Sequence, residues 1–220
     1  RIPTRKWLLA AAVLFISFVA GSFTPACDWI TAQSVPVGQT STPYQAIQSG
    51  LSINTSPKRI ILFIGDGMGS EQRKAAQWNS VGLEGKLIMD QLAYQGWSQT
   101  ASADNPVTDS AAGGTAISSG FHTNNGMIAM SPELKDLKTI LEYAQERGMA
   151  TGLLTNVQIS HATPASFAAH VPHREQMTDI AVQLLDHQIN VLFGGGEDEF
   201  LPTSSTGCYA EPGERSDGRN

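Results

Sequence analysis

Only two cysteines, Cys27 and Cys208, occur in the 220 residues. That is too few for a disulfide scaffold and for a structural zinc site built on thiolates. Charge is sparse too, at 15% of residues, and basic charge is sparser still: 14 Lys and Arg face 20 Asp and Glu, a net of −6. A general nucleic-acid binder needs a basic face, so nucleic acid is excluded as a partner. No apolar run reaches the roughly 20 residues that a membrane-spanning helix requires; Trp7–Ala20 stops at 14. No Gly-Lys-Ser/Thr ending marks a nucleotide-binding Walker loop. What remains is 41% hydrophobic with 21 Gly and 11 Pro, the composition of a folded soluble protein with room for one large domain or two small ones.

Residues 1–27 read as an address. Arg1, Arg5 and Lys6 precede the uncharged run Trp7–Ala20, and the small residues Thr24-Pro25-Ala26 follow. A cationic start, a short apolar stretch and a small-residue site make a secretory signal peptide, which sends the protein to the periplasm or outside the cell. A core helix or a membrane anchor is the competing reading. Cleavage after Ala26 would leave Cys27 first, a candidate for a lipid anchor in the membrane, although the preceding residues match such a signal poorly. Residues 31–57 carry no charge and are rich in Ser, Thr, Gln, Pro and Gly, so 28–57 reads as a flexible linker or an N-terminal arm. Without residues 1–27, 11 basic residues face 20 acidic ones, a net of −9. An acidic protein handling an anion needs strong local positive charge, and bound metal ions supply it.

From Lys58 the pattern alternates strand and helix. Arg59–Ile64 is a continuous apolar run, as in a buried strand of an α/β sheet. A helix is expected over Ser70–Ser80 with Ser70 as cap, and a strand over Gln95–Ala101. The small-residue stretch Ser110–Ser118 reads as a helix, and Lys138–Arg147 as an amphipathic one closed by Gly148. A strand over Ala150–Thr155, a helix over Thr178–His187 and a strand over Asn190–Phe193 complete the series. This predicts an α/β fold: a layered sandwich with a central, largely parallel sheet flanked by helices. Ligands in such folds sit beyond the carboxyl ends of strands.

Candidate chemistry falls in four places. Gly65-Asp66-Gly67-Met68-Gly69 follows the first expected strand; Asp66 there is placed to hold a metal or simply to bond its own tight turn. In Val107-Thr108-Asp109-Ser110-Ala111-Ala112-Gly113-Gly114, Ser110 opens a helix whose N-terminus suits a phosphate. Asp109 beside it could hold a metal against the Ser110 oxygen, turning it into a nucleophile. The plain alternative makes Ser110 a helix cap, yet Ala-Gly-Gly is costly in a helix and a cap does not require it. His161-Ala162-Thr163-Pro164-Ala165 is the third place. His161 and Thr163 could project together from an extended segment; taken alone, Thr163 as a cap before Pro164 is favoured. Arg174 is the fourth, a residue suited to grip phosphate oxygens but ordinary without company. His170, His173 and His187 lack mutual metal-ligand spacing and read as structural or surface residues.

Together Ile60–Gly69, Val107–Ala112, His161–Ala165 and Ala169–Arg174 resemble the alkaline phosphatases in order and approximate spacing, over residues 58–220. The resemblance implies that Asp66 is shared between a zinc and a magnesium and that Asp109 binds that zinc. It further implies Ser110 as the nucleophile that becomes phosphoserine, Thr163 as a magnesium ligand and Arg174 as the phosphate clamp. His161 stands where the family holds Asp or His beside the magnesium. Cofactors would be two Zn2+ and Mg2+, substrates small phosphate monoesters, and a homodimer the candidate assembly. Hydrolysis of such esters is among the slowest uncatalysed reactions, and clustered cations are what stabilise its attacking and leaving oxygens. The family's remaining metal ligands come from segments following this region, so the resemblance also implies a domain incomplete at its C-terminus and a fragment inactive alone. Two alternatives stand beside it: a related metal-dependent phosphodiesterase, and a catalytically inactive exported anion-binding protein. Cys208 is expected to be free or paired beyond Asn220.

Overall fold

In the computed structural model, residues 59–208 and 211–219 are described. The expected export signal, the linker and Cys27 lie outside them. The chain divides after Leu62; of the first unit only residues 59–62 are described, and the architecture below belongs to Phe63–Asn220.

Its elements are α1 (Ser70–Val81), a 3-10 turn (Ile88–Gln91), α2 (Ser110–Ser119), α3 (Ile140–Glu146), β1 (Gly152–Gln158), α4 (Ala162–Ala165), α5 (Met177–Asp186), β2 (Val191–Gly195) and α6 (Glu197–Phe200). β1 and β2 pair in parallel, with Gly152 on Val191, Leu153 on Leu192 and Leu154 on Phe193. Parallel neighbours need a crossover rather than a hairpin, and α4 and α5 provide it. The α/β class expected from the alternating pattern is the class found.

Local chemistry sets the helix ends. Thr139 caps α3: its Oγ1 accepts from Glu142 N at 3.2 Å while Glu142 Oε2 accepts from Thr139 N at 2.7 Å. This reciprocal pair satisfies two otherwise orphaned donors and starts the helix inside the expected Lys138–Arg147. The Thr139 hydroxyl also donates to the Phe167 carbonyl at 2.6 Å, which ties α3 to the segment after α4. Ile128, Ile180 and Leu184 are fully buried, in one cluster with Ala111, Leu153 and Val171. The antiparallel bridge between Ile128 and Val171 closes with bonds of 3.0 and 3.1 Å and fixes the loop that carries Arg174.

Four expectations are corrected. Arg59–Ile64 and Gln95–Ala101 form no strand. Ile61, Phe63 and Trp97 lie open to solvent, because a strand exists only through its ladder and no described segment pairs with either run. Ser70 is the first residue of α1, not its cap, which is Gly69. Thr163 does not cap α4; His161 holds that position, and Pro164 falls inside the first turn, where its missing N–H costs nothing. Cys208 is disulfide-bonded, and its N–H donates to Glu197 Oε2 at 2.9 Å. Among the described residues no helix is long and apolar enough to cross a membrane.

Candidate active site

The turn Gly65–Gly69 is closed by Met68 N on the Gly65 carbonyl at 3.1 Å and Gly69 N on Gly67 at 2.9 Å. Gly67 has φ +63°, a left-handed conformation that a side chain disfavours. The turn presents Asp66, and two hydroxyls converge on its carboxylate. Ser110 Oγ donates to Oδ1 at 2.8 Å and lies 3.1 Å from Oδ2; Thr163 Oγ1 donates to Oδ2 at 2.8 Å. Burial raises the Asp66 pKa, but the Thr163 and Ser110 hydrogen bonds, with the positive charge of Arg174, outweigh it, and the carboxyl is held below its ordinary 3.8. Its ionised form is the one the site is built around.

Asp109, not Ser110, caps α2. Asp109 Oδ1 accepts from Ala112 N at 2.9 Å. Ser110, the first helical residue, is thereby released from capping, and its hydroxyl is free to turn to Asp66. Asp109 Oδ2 accepts from Gly126 N at 3.0 Å and from Arg174 Nη1 at 3.1 Å. Arg174 Nη2 lies 3.3 Å from His161 Nε2. A guanidinium only donates, so Nε2 accepts and the ring proton sits on Nδ1, a buried atom with no partner.

Direct bonds thus join Asp66, Ser110 and Thr163 in one group and Asp109, Arg174 and His161 in a second. The two groups meet through the adjacent residues Asp109 and Ser110, and Arg174 lies near enough to Asp66 to act on its carboxyl. His161 and Thr163 follow the carboxyl end of β1, where ligands sit in open α/β sheets. The sequence reading missed Asn125 and Gly126. Asn125 Oδ1 accepts from Asp109 N at 3.0 Å and its Nδ2 donates to the Val107 carbonyl at 2.9 Å. The Gly126 carbonyl accepts from Arg174 N at 2.7 Å. The Asn124-Asn125-Gly126 turn signature was the available clue.

The donor set suits a divalent cation. Two carboxylates and two hydroxyls supply hard oxygen ligands. Asp109 Oδ1 takes one hydrogen bond and keeps a lone pair, and the two hydroxyls bonded to Asp66 could turn their lone pairs to an ion. The orphaned Nδ1–H is a donor without a protein partner and not a ligand in this arrangement.

Against known proteins, the sequence matches the alkaline phosphatase family over residues 57–220. It is 41% identical over 156 residues to alkaline phosphatase 3 of Bacillus subtilis (strain 168), covering 65% of this chain and 33% of that protein. Among solved structures it is similar to a cold-active alkaline phosphatase from the psychrophile Shewanella sp.: TM-score 0.60, 34% identity, 64% of this chain and 36% of that one. A variant of the alkaline phosphatase of the Antarctic bacterium TAB5, solved with Mg bound in its M3 site, superposes with TM-score 0.54 at 31% identity, covering 58% of this chain and 36% of that one. The fold places carboxylate and hydroxyl oxygens suited to a cation on an α/β scaffold. The chain belongs to the alkaline phosphatase family. It spans about a third to a half of the length of the curated relatives it matches.

Proposed function

We propose that this chain serves the hydrolysis of phosphate monoesters through a phosphoserine on Ser110, in an exported protein. The observation carrying this reading is the convergence of Ser110 and Thr163, 44 and 97 residues from Asp66, on that one carboxylate.

Asp66, Asp109 and Thr163, with His161 beside them, would hold the metal ions, Mg2+ and Zn2+. Bound there, such ions supply positive charge to the phosphoryl oxygens and lower the pKa of the attacking hydroxyl and of water. Ser110 at the first turn of α2 presents its Oγ where backbone N–H groups and the helix dipole favour an anion. Oγ attacks phosphorus as its proton leaves along the hydrogen bond to Asp66 and on to solvent. A Ser–O–P bond forms, the ester P–O bond breaks, and the leaving oxygen departs from the opposite face and takes a proton from solvent. Arg174, oriented by Asp109 and His161, donates to the equatorial oxygens. Water then attacks the phosphoserine, freeing phosphate and restoring the hydroxyl.

Acid-quenched turnover of an ester bearing labelled phosphate, followed by peptide mapping, tests this. Label is expected on Ser110 and is lost in Ser110→Ala, with turnover down by about 10³-fold or more, as for other covalent nucleophiles. Label on another residue, or unchanged turnover in the variant, would overturn the assignment.

A further inference from the structure

A second cluster lies outside the Asp66 centre. Glu142 on α3, His170 in the loop between α4 and α5, and His187 at the C-cap of α5 each offer one ligand atom, and these atoms all lie within 4.8 Å of one another. Sequence spacing separates the three residues, which read as structural or surface positions; the fold brings them together.

The three are held in place. Glu142 Oε2 is used by the Thr139 N–H, which leaves Oε1 facing His170 Nε2 at 3.2 Å. His170 Nδ1 lies 2.8 Å from the Ala129 carbonyl, and its backbone N–H donates to Gln183 Oε1 at 2.7 Å. Gln145 Nε2 donates to the His187 carbonyl at 2.7 Å. The two imidazoles stand 6.4 Å apart between centroids, tilted by 49°.

Counting protons at His170 is informative. The Ala129 carbonyl and the Glu142 carboxylate both only accept. A neutral imidazole that gives its proton to Ala129, the shorter contact, turns a lone pair on Nε2 toward a carboxylate oxygen. That arrangement calls for a cation between them, either a second proton or a metal. A second imidazole within reach adds nothing to a proton bond, but it completes a set of two nitrogens and one oxygen. The Nδ1–H bond to a backbone carbonyl is also the contact that fixes the tautomer of a metal-bound histidine.

We propose that Glu142, His170 and His187 bind a borderline divalent transition metal, of which zinc is the probe, as a staple between α3, the α4–α5 loop and α5. Two imidazoles and a carboxylate with a fourth position open to water form an established ligand type for zinc. The residues line a shallow cleft of about 480 Å³, and Asp136 and Glu146 add negative charge to it. Lys138 lines it as well, but its charge is matched by Glu146 and by the face of Tyr143 at 4.5 Å. Zinc bonds of about 2.0–2.1 Å draw ligand atoms closer together than the spread seen here, so binding includes a small closure of the side chains.

Equilibrium dialysis of the full chain against zinc, with Asp66→Asn as the comparison, isolates this site. His187→Gln is expected to lose about one zinc equivalent, or to bind it about 100-fold more weakly, since even groups that only orient a ligand are worth about 10–100-fold. The zinc removed by Asp66→Asn should be a separate equivalent, and the zinc-dependent rise in Tm should shrink in His187→Gln. Glu142→Gln keeps the helix cap and so checks the result in a variant expected to fold; it should show the same loss. An anomalous zinc peak among the three side chains would agree. Unchanged stoichiometry in both variants, or no peak there, would leave a protonated His170 on Glu142 as the whole explanation and overturn the proposal.

Discussion

One hydroxyl shows how much a single neighbour decides. Ser110 and Asp109 are both good helix caps, and only one of them can cap α2. Asp109 takes the role, through Ala112 N, and Ser110 is left to donate to Asp66. The sequence reading offered only Ser110 as the cap, because the choice of Asp109 rests on the Gly126 and Arg174 donors that hold it from 17 and 65 residues away. Asn125 stayed invisible for the same reason: an amide earns its role only from partners that the fold delivers. Glu199 offers a test at this scale. It is buried, with Ser160 Oγ donating to Oε2 at 2.7 Å. Burial raises its pKa above the ordinary 4.5, opposed by the Ser160 hydroxyl and reinforced by Asp198 and Glu214. The folded state therefore holds this proton more tightly than the unfolded chain, and the stability it contributes is full below about 4.5 and lost as pH rises through the raised value. Glu199→Gln should melt higher than the wild type at neutral pH, with the gain vanishing as pH falls toward 4.5. A variant that melts lower at neutral pH would contradict this.

At the scale of elements, α2 and α4 explain the small-residue run that looked purely catalytic. Ala111 and Ala112 are buried, and a Cβ on Gly114 would stand 2.4 Å from Ser166 Oγ and 3.1 Å from Ser166 Cβ. Packing, as much as access to Ser110, requires the absence of side chains here. The contact matters to the site because Ser166 Oγ donates to the Thr163 carbonyl at 2.9 Å and Ser118 Oγ to the Ser166 carbonyl at 2.5 Å. In a free helix Gly→Ala stabilises by about 0.5–1 kcal/mol. Gly114→Ala should instead destabilise by about 1–3 kcal/mol, the range for overpacked cores. Adding Ser166→Gly, which removes both clashing atoms, should recover most of the loss in urea unfolding. If Gly114→Ala is neutral or stabilising, the close packing is not what keeps this position bare. The bounds of α1, α2, α3 and α5 were legible in sequence to within two residues, whereas the Thr139–Glu142 capping pair was seen only in the structure. The site of α4 was not legible, since its Pro164 suggested a start two residues too late.

For the molecule as a whole, the legible part was the α/β class and the illegible part was which apolar runs find partners. Ile61 and Phe63 read as buried strand and are exposed, whereas Leu153 and Leu192 pair in β1 and β2 with Leu153 in the core. Hydrophobic pattern reports a tendency to be covered, not the cover itself. The described sheet makes the point sharply, because a parallel sheet is ordinarily covered on both faces. Here Leu153 is 9% exposed and its neighbour Leu154 is 77% exposed, opposite Phe193 at 61%. Alternate residues point to opposite faces, so adjacent leucines should respond in opposite ways to the same substitution. Leu153→Thr should cost about 2–5 kcal/mol, as large-to-small core changes do. Leu154→Thr should stay within about 0.5 kcal/mol, as surface changes do, while lowering the binding of a hydrophobic dye to the native chain. Equal costs at the two positions would mean that the second face is covered in solution and that Leu154 belongs to an interface rather than to an open surface.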